Sequence, residues 1–152
     1  MELFKDNKGD KIEVKDGKFK SDFYKSAEDI KVQLDSVSPS FCLAKWNQVS
    51  LHLPTGLNNS CYHPPLHKME LGTPSALHNT QHKKEMRKLM LEGVRPSECQ
   101  YCWNIEDTGH LSDRHYRSGE PWAAMDFDEV VNAPWDADKN PRYVEVNFNH
   151  NC

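Results

Sequence analysis

The sequence predicts an α+β fold in which a small cysteine-rich module precedes a single strand. The apolar stretch that begins at Phe41 is interrupted by Pro54-Thr55-Gly56, which predicts a β-hairpin. Residues 81–92 are mostly good helix formers and lead to a knuckle with two cysteines, Cys99-x-x-Cys102. Residues 142–148 alternate between apolar and polar side chains, the pattern of a strand.

Composition limits the classes of protein that this chain can represent. It has 152 residues, of which only 37% are hydrophobic, so we expect one domain with a small core. The net charge is −4 and no long basic run occurs, which argues against binding to nucleic acids or to a membrane surface. The N-terminus lacks the apolar run of a signal peptide, and no stretch is long enough to cross a bilayer. We therefore predict a cytoplasmic protein.

Residues 1–40 are predicted to form a separate N-terminal segment of unknown role. Two short strands, Lys11–Val14 and Lys18–Tyr24, flank an Asp16-Gly17 pair that is typical of a hairpin turn. Ser26 is then a good N-cap for a short helix over Ala27–Leu34.

The helix before the knuckle has recognisable signals at both ends. Asn79 or Thr80 can cap its N-terminus, and Gly93 stands where helices commonly end in a left-handed residue. We expect one apolar face to be buried, and we expect the opposite face, rich in Lys and Arg, to be exposed to water. The apolar face consists of Met86, Leu89 and Met90.

The five cysteines are the strongest candidates for functional residues. In a reducing compartment they are better explained as metal or cluster ligands than as disulfides. Cys99 and Cys102 could hold one metal, pair with each other, or be ordinary buried thiols. The hairpin would bring Cys42 and Cys61 towards each other, which indicates a set of four. His63 and His67 are secondary candidates for zinc ligands.

Two parts of the chain resemble the radical S-adenosylmethionine (SAM) enzymes, especially those with SPASM or twitch-type extensions. The first part is residues 41–107, with a cysteine on each side of a Gly-containing hairpin and two more after a helix that contains EMRKLMLEGVRPSECQYCW. The second is the terminal strand followed by Cys152, YVEVNFNHNC. In these enzymes the first barrel strand leads into a CxxxCxxC loop, and the extension usually follows the barrel instead of preceding it.

The resemblance implies a division of the chain and a role for each cysteine. Residues 41–107 would be a cluster-binding module, residues 108–141 an acidic linker, and residues 142–152 the first strand of a truncated (β/α) partial barrel. An auxiliary 4Fe-4S cluster would be held by Cys42, Cys61, Cys99 and Cys102. Cys152 would be the first ligand of a second, catalytic cluster that binds SAM in the complete enzyme.

The implied activity is the reductive cleavage of SAM, which starts radical chemistry on an unknown substrate, a peptide or a small molecule. An electron donor would be required, and the fragment alone would be inactive. The alternative is a non-enzymatic Cys₄ zinc module for structure or protein interaction, with Cys152 as a free thiol. Four cysteines complete the ligand set of either an iron–sulfur cluster or a zinc ion.

Overall fold

The computed structural model describes residues 25–149 and, of the first 24 residues, the backbone of three strands. The fold is α+β, as predicted from the sequence, with a small mixed sheet and several helices. Cys152 and the Asp16-Gly17 turn lie outside the described residues. Among the helices that the structure describes, none combines the length and the apolar character needed to cross a membrane.

The N-terminal strands form a three-stranded antiparallel sheet. These are β1 (Phe4–Lys5), β2 (Lys11–Lys15) and β3 (Lys18–Lys20), in the order β1-β2-β3. The pairing of Lys15 with Lys18 confirms the predicted hairpin, and residues 21–24 of its second predicted strand lie outside the described residues. Helix α1 (Ala27–Asp35) is also confirmed, and Ser26 caps it by accepting a hydrogen bond from the Asp29 backbone N–H.

The second sheet carries the predicted Gly56 hairpin at its centre. Its strands follow the order β6-β5-β4-β7, with β4 at Gln48–His52, β5 at Leu57–Asn59, β6 at His67–Lys68 and β7 at Tyr143–Asn147. Gly56 adopts φ +65°, a conformation that glycine accepts without steric cost. The apolar run after Cys42 is not strand throughout, because α2 (Ala44–Asn47) forms a helical turn before β4 begins.

The helix before the knuckle begins and ends close to the predicted residues. It is α3 (Gln81–Leu91), capped by Thr80, and Gly93 has φ +78°. The expectation of a water-exposed Lys/Arg face was wrong for Lys83 and Arg87, which are 1% and 0% exposed. Both are buried because polar groups of neighbouring segments satisfy them: Lys83 contacts His78, and Arg87 donates to Asn79 Oδ1.

The knuckle itself is helical. A 3₁₀ turn over Ser97–Cys99 leads directly into α4 (Gln100–Glu106), so Cys99 and Cys102 lie about one turn apart at the start of this helix. Trp103 is buried beside them and donates its indole N–H to the Pro96 carbonyl at 2.8 Å. The knuckle is therefore anchored in the main core.

The segment predicted as an acidic linker, residues 108–141, contains three short helices. They are α5 (Asp113–Ser118), α6 (Pro121–Ala124) and α7 (Phe127–Asn132). Helix α5 packs against α1, and Asp126 is buried because it pairs with Lys139 and Arg142, each at 2.7 Å. Ion pairing of this kind lets an acidic segment pack against a core, which the count of its charges does not predict.

The terminal strand is formed as predicted, but it does not stand alone. Strand β7 pairs with β4 in parallel, with Val49 opposite Val144 and Leu51 opposite Val146. Its apolar side chains are only partly covered in the described part of the chain, and Val144 is 50% exposed.

The main core lies between the helices and includes both knuckle cysteines. Phe41 packs against Trp46 with ring centroids 5.1 Å apart. The buried members of this cluster are Ile30, Leu34, Phe41, Leu43, Trp46, Met90, Cys99, Cys102, Trp103, Ala123 and Val130.

Candidate four-cysteine site

Four cysteines from three separate segments line one cavity. Cys42 immediately precedes α2, Cys61 follows β5, and Cys99 and Cys102 come from the knuckle. The cavity has a volume of about 30 Å³. The structure therefore brings together the four cysteines that the sequence grouped, whereas the placement of Cys152 is not described.

All four cysteines are reduced, and three of them are strongly disfavoured as thiolates in the metal-free site. Burial raises the pKa of Cys61 to about 12 and the pKa of Cys99 and Cys102 to about 11. Because ligation requires thiolates, any metal that binds here must displace protons from these thiols.

Hydrogen-bond donors surround the sulfur atoms. The Ser118 hydroxyl lies 3.9 Å from Cys42 Sγ and is oriented to donate to it. Backbone N–H groups of His63 and Arg114 lie beside Cys61 and Cys102, where each lowers the pKa of the thiol against the larger effect of burial. Donors of this kind stabilise negative charge on sulfur.

The cavity wall carries more positive than negative charge. Lys45, Arg114 and Arg117 line it, and Asp113 is the acidic side chain among its lining residues. Asp113 is engaged by His63, whose Nε2 lies 2.6 Å from Asp113 Oδ2. The charge of Lys45 offsets part of the effect by which burial disfavours the thiolates of Cys61 and Cys99.

The carboxylate partners of two of these cations lie outside the cavity wall. Glu98 pairs with Lys45 at 2.6 Å, and Glu106 pairs with Arg114 at 2.9 Å. Lys45 and Arg114 line the cavity, whereas Glu98 and Glu106 are not among its lining residues. Each pair therefore presents a cation to the sulfurs without leaving a buried charge unpaired.

The secondary candidates His63 and His67 are placed differently. His63 lines the cavity and stacks on Tyr101 with ring centroids 3.7 Å apart. His67 is not among the cavity residues; it contacts Thr80 at 2.9 Å, and burial lowers its pKa to about 4. Of the two histidines, only His63 is therefore positioned near the thiols.

Within the described part of the chain, no three Cys, His, Asp or Glu side chains are already arranged as ligands of one metal ion. A rearrangement of the cysteine side chains would therefore accompany the binding of an ion. This is compatible with the donor set, because four thiolates form a complete tetrahedral set for zinc and a complete set for a 4Fe-4S cluster.

The sequence did not reveal Lys45 and Arg114 as residues of the site. Lysine and arginine are normally assigned to the surface from hydropathy, yet these side chains are 3% and 2% exposed. One local signal was available for Lys45, since it lies three residues after Cys42 and so returns to the same side of a helical turn. No comparable signal marks Arg114.

The chain was compared with family models, curated proteins and solved structures, and none of them matches.

Proposed function

We propose that Cys42, Cys61, Cys99 and Cys102 bind an auxiliary 4Fe-4S cluster, and that the chain is the N-terminal part of a radical SAM enzyme. The proposal of a cluster rests on one observation: the four cysteines line one cavity. They come from three separate segments of the chain, and Cys99 and Cys102 are buried near Trp103 in the core. Ordinary core cysteines have no reason to converge from three segments.

The charges around the site support ligation over a set of inert thiols. Four thiolates with a bound cluster form a net anion, and a buried anion is stable only when it is compensated. Lys45 and Arg114 provide buried positive charge next to the sulfurs. Both cations belong to buried ion pairs, and such pairs carry a desolvation cost that a core made only for packing would avoid.

The second half of the proposal rests on the resemblance in sequence. Strand β7 leads towards Cys152, which would be the first ligand of the catalytic cluster in the complete enzyme. That cluster would supply the electron that cleaves SAM, and the auxiliary cluster would transfer electrons or stabilise the module. An electron donor and a substrate, a peptide or small molecule, would be needed, and a reducing cytoplasm would keep the thiols available for the clusters.

A Cys₄ zinc module is the second candidate, because the four cysteines that line the cavity are also a complete ligand set for zinc. Zinc binds thiolates at about 2.3 Å, so one ion fits between four converging sulfurs.

Anaerobic purification of the chain, followed by iron, sulfide and zinc analysis with a visible spectrum, separates the two candidates. We expect about four iron and four sulfide per chain with broad visible absorption, the content of one such cluster. Zinc at one ion per chain without sulfide would exclude the cluster and support the zinc module.

The matched variants are Cys99→Ser and Cys152→Ser. Each removes one thiol, but only the first removes a member of the four-cysteine set. Loss of the metal or cluster in Cys99→Ser alone supports the assignment, whereas equal loss in both contradicts it. The radical enzyme is tested separately: cysteines must stand at the fourth and seventh positions after Cys152 in the continuing reading frame, and their absence would exclude it.

A further inference from the structure

Lys45 and Glu98 form a buried ion pair that ends at the cysteine cavity. Lys45 Nζ lies 2.6 Å from Glu98 Oε1, and the two side chains are 3% and 13% exposed. The other carboxylate oxygen of Glu98 lies 2.6 Å from His82 Nε2, and His82 is partly exposed at 41%. The pair thus connects the cavity with the surface through one histidine.

The charges of Lys45 and Glu98 lie at different positions relative to the cavity. Lys45 lines the cavity and is fully buried, whereas Glu98 stands behind it. The Glu98 carboxylate compensates the charge of Lys45 in this buried position. Lys45 therefore remains a cation, and because water is excluded its field reaches the sulfurs with little screening.

We infer that the Lys45–Glu98 pair sets the reduction potential of the cluster at the four-cysteine site. This inference rests on the proposed cluster. Reduction adds one electron from an external one-electron reductant and makes the site more negative by one charge, and no bond or proton has to move. A buried cation stabilises the reduced form and raises the potential, while a buried anion lowers it.

The direction in which the reduction potential shifts in each variant distinguishes an electrostatic role of the pair from a purely structural one. If the pair only held α2 against the knuckle, breaking it from either side would loosen the same contact and shift the potential in the same direction. If the charges act on the cluster, Lys45→Met makes the potential more negative and Glu98→Gln makes it more positive. Removing both charges then returns the potential towards that of the unmodified chain.

The test is a reduction titration with dithionite, followed by electron paramagnetic resonance, on the anaerobically loaded full chain. The variants are Lys45→Met, Glu98→Gln, the double variant and Lys88→Met. Lys88→Met is the matched control, because it removes the same charge from an α3 side chain that is 50% exposed and does not line the cavity. The double variant leaves no unpaired buried charge, so it keeps the test decisive if Lys45→Met alone does not fold.

We expect opposite shifts for the two single variants, each larger than the shift of Lys88→Met. The double variant should shift the potential in the negative direction by less than Lys45→Met does, because Lys45 lines the cavity and Glu98 does not. A loaded cluster whose potential shifts in the same direction in both single variants, or no more than in the control, overturns this inference and leaves the proposed function intact. A chain that never binds iron and sulfide overturns the proposed function, and the inference falls with it.

Discussion

Arg114 and Glu106 form a bidentate ion pair beside the four-cysteine cavity. Arg114 Nε and Nη2 lie 2.9 Å from Glu106 Oε1 and Oε2, and the side chains are 2% and 7% exposed. Arg114 also donates to the Phe41 carbonyl at 2.9 Å. This guanidinium therefore links the segment before α2 to α4 and fixes its own charge against the cavity.

Replacing Glu106 by Gln should destabilise the protein severely. The substitution leaves the buried Arg114 charge without its main partner, and breaking a buried pair from one side costs about 3 kcal/mol. The control is Asp35→Asn, which removes the partly exposed second partner of Arg114 and should cost less than about 1 kcal/mol. Urea unfolding measures both, and equal losses would show that Glu106 is not the dominant partner.

The same pair predicts a loss of stability in acid. Burial alone would raise the pKa of Glu106, but hydrogen bonds from Arg114 and Ser112 hold it below its usual 4.5. A carboxyl whose pKa is lower in the folded state stabilises the fold above its unfolded pKa, and this contribution is lost as the pH falls through the folded pKa. The free energy of unfolding should therefore fall less steeply below pH 4.5 in Glu106→Gln than in the unmodified chain. Parallel pH profiles would contradict this.

Local sequence signals predicted where helix α3 begins and ends. The burial of its charged side chains depends on long-range contacts, which the sequence did not predict. Thr80 and Gly93 fix the two ends of α3 through caps that any chain with these residues could form. The burial of Lys83 and Arg87 depends on His78 and Asn79, whose position is set by the tertiary fold. Apolar periodicity contains no information about such partners.

The sequence predicted one part of the candidate site, the cysteines, and missed the other, the cations that line the cavity. The cysteine spacing and the Gly56 hairpin predicted that Cys42 and Cys61 approach each other, and both line the cavity with the knuckle cysteines. The cationic wall was not predicted, because Lys45 and Arg114 acquire their role only when α2 and α5 pack beside the knuckle. Charge patterning along the sequence assigns such residues to the surface.

Gly93→Ala should destabilise the protein by about 1 kcal/mol, since φ +78° is a strained conformation for a residue with a Cβ. An added Cβ would meet Pro39 Cδ at 3.6 Å, an ordinary contact, so the cost comes from the backbone. Gly72→Ala is the control, because Gly72 has no positive φ and its Cβ would meet open space. A loss in Gly72→Ala as large as in Gly93→Ala would exclude this explanation.

Metal affinity should rise steeply with pH. Burial holds the pKa of Cys61 near 12 and that of Cys99 and Cys102 near 11, so binding must release protons from these thiols. Zinc is a convenient probe, and competition with a chelator between pH 6.5 and 8 should give an affinity that increases by more than about tenfold per pH unit. An affinity independent of pH would show that the thiols are not the ligands.

Lys83 predicts a second pH dependence, with the same sign as that of Glu106 but at alkaline pH. Burial, followed by the nearby charges of Arg87 and Lys45, lowers its pKa well below 10.5. Its Nζ lies 2.9 Å from His78 Nδ1 and 3.4 Å from the Gln48 carbonyl, and neither group supplies a negative charge.

The unfolded chain therefore binds a proton at Lys83 that the folded chain does not. Stability should rise with pH from the folded pKa of Lys83 up to 10.5, its value in the unfolded chain. Lys83→Met removes this dependence, while Lys84→Met, which removes an ion-paired lysine next to it, should retain it. Urea unfolding between pH 7 and 10 measures the slope. If Lys83→Met keeps the slope of the unmodified chain, Lys83 is charged in the fold, and its burial must be compensated by another group.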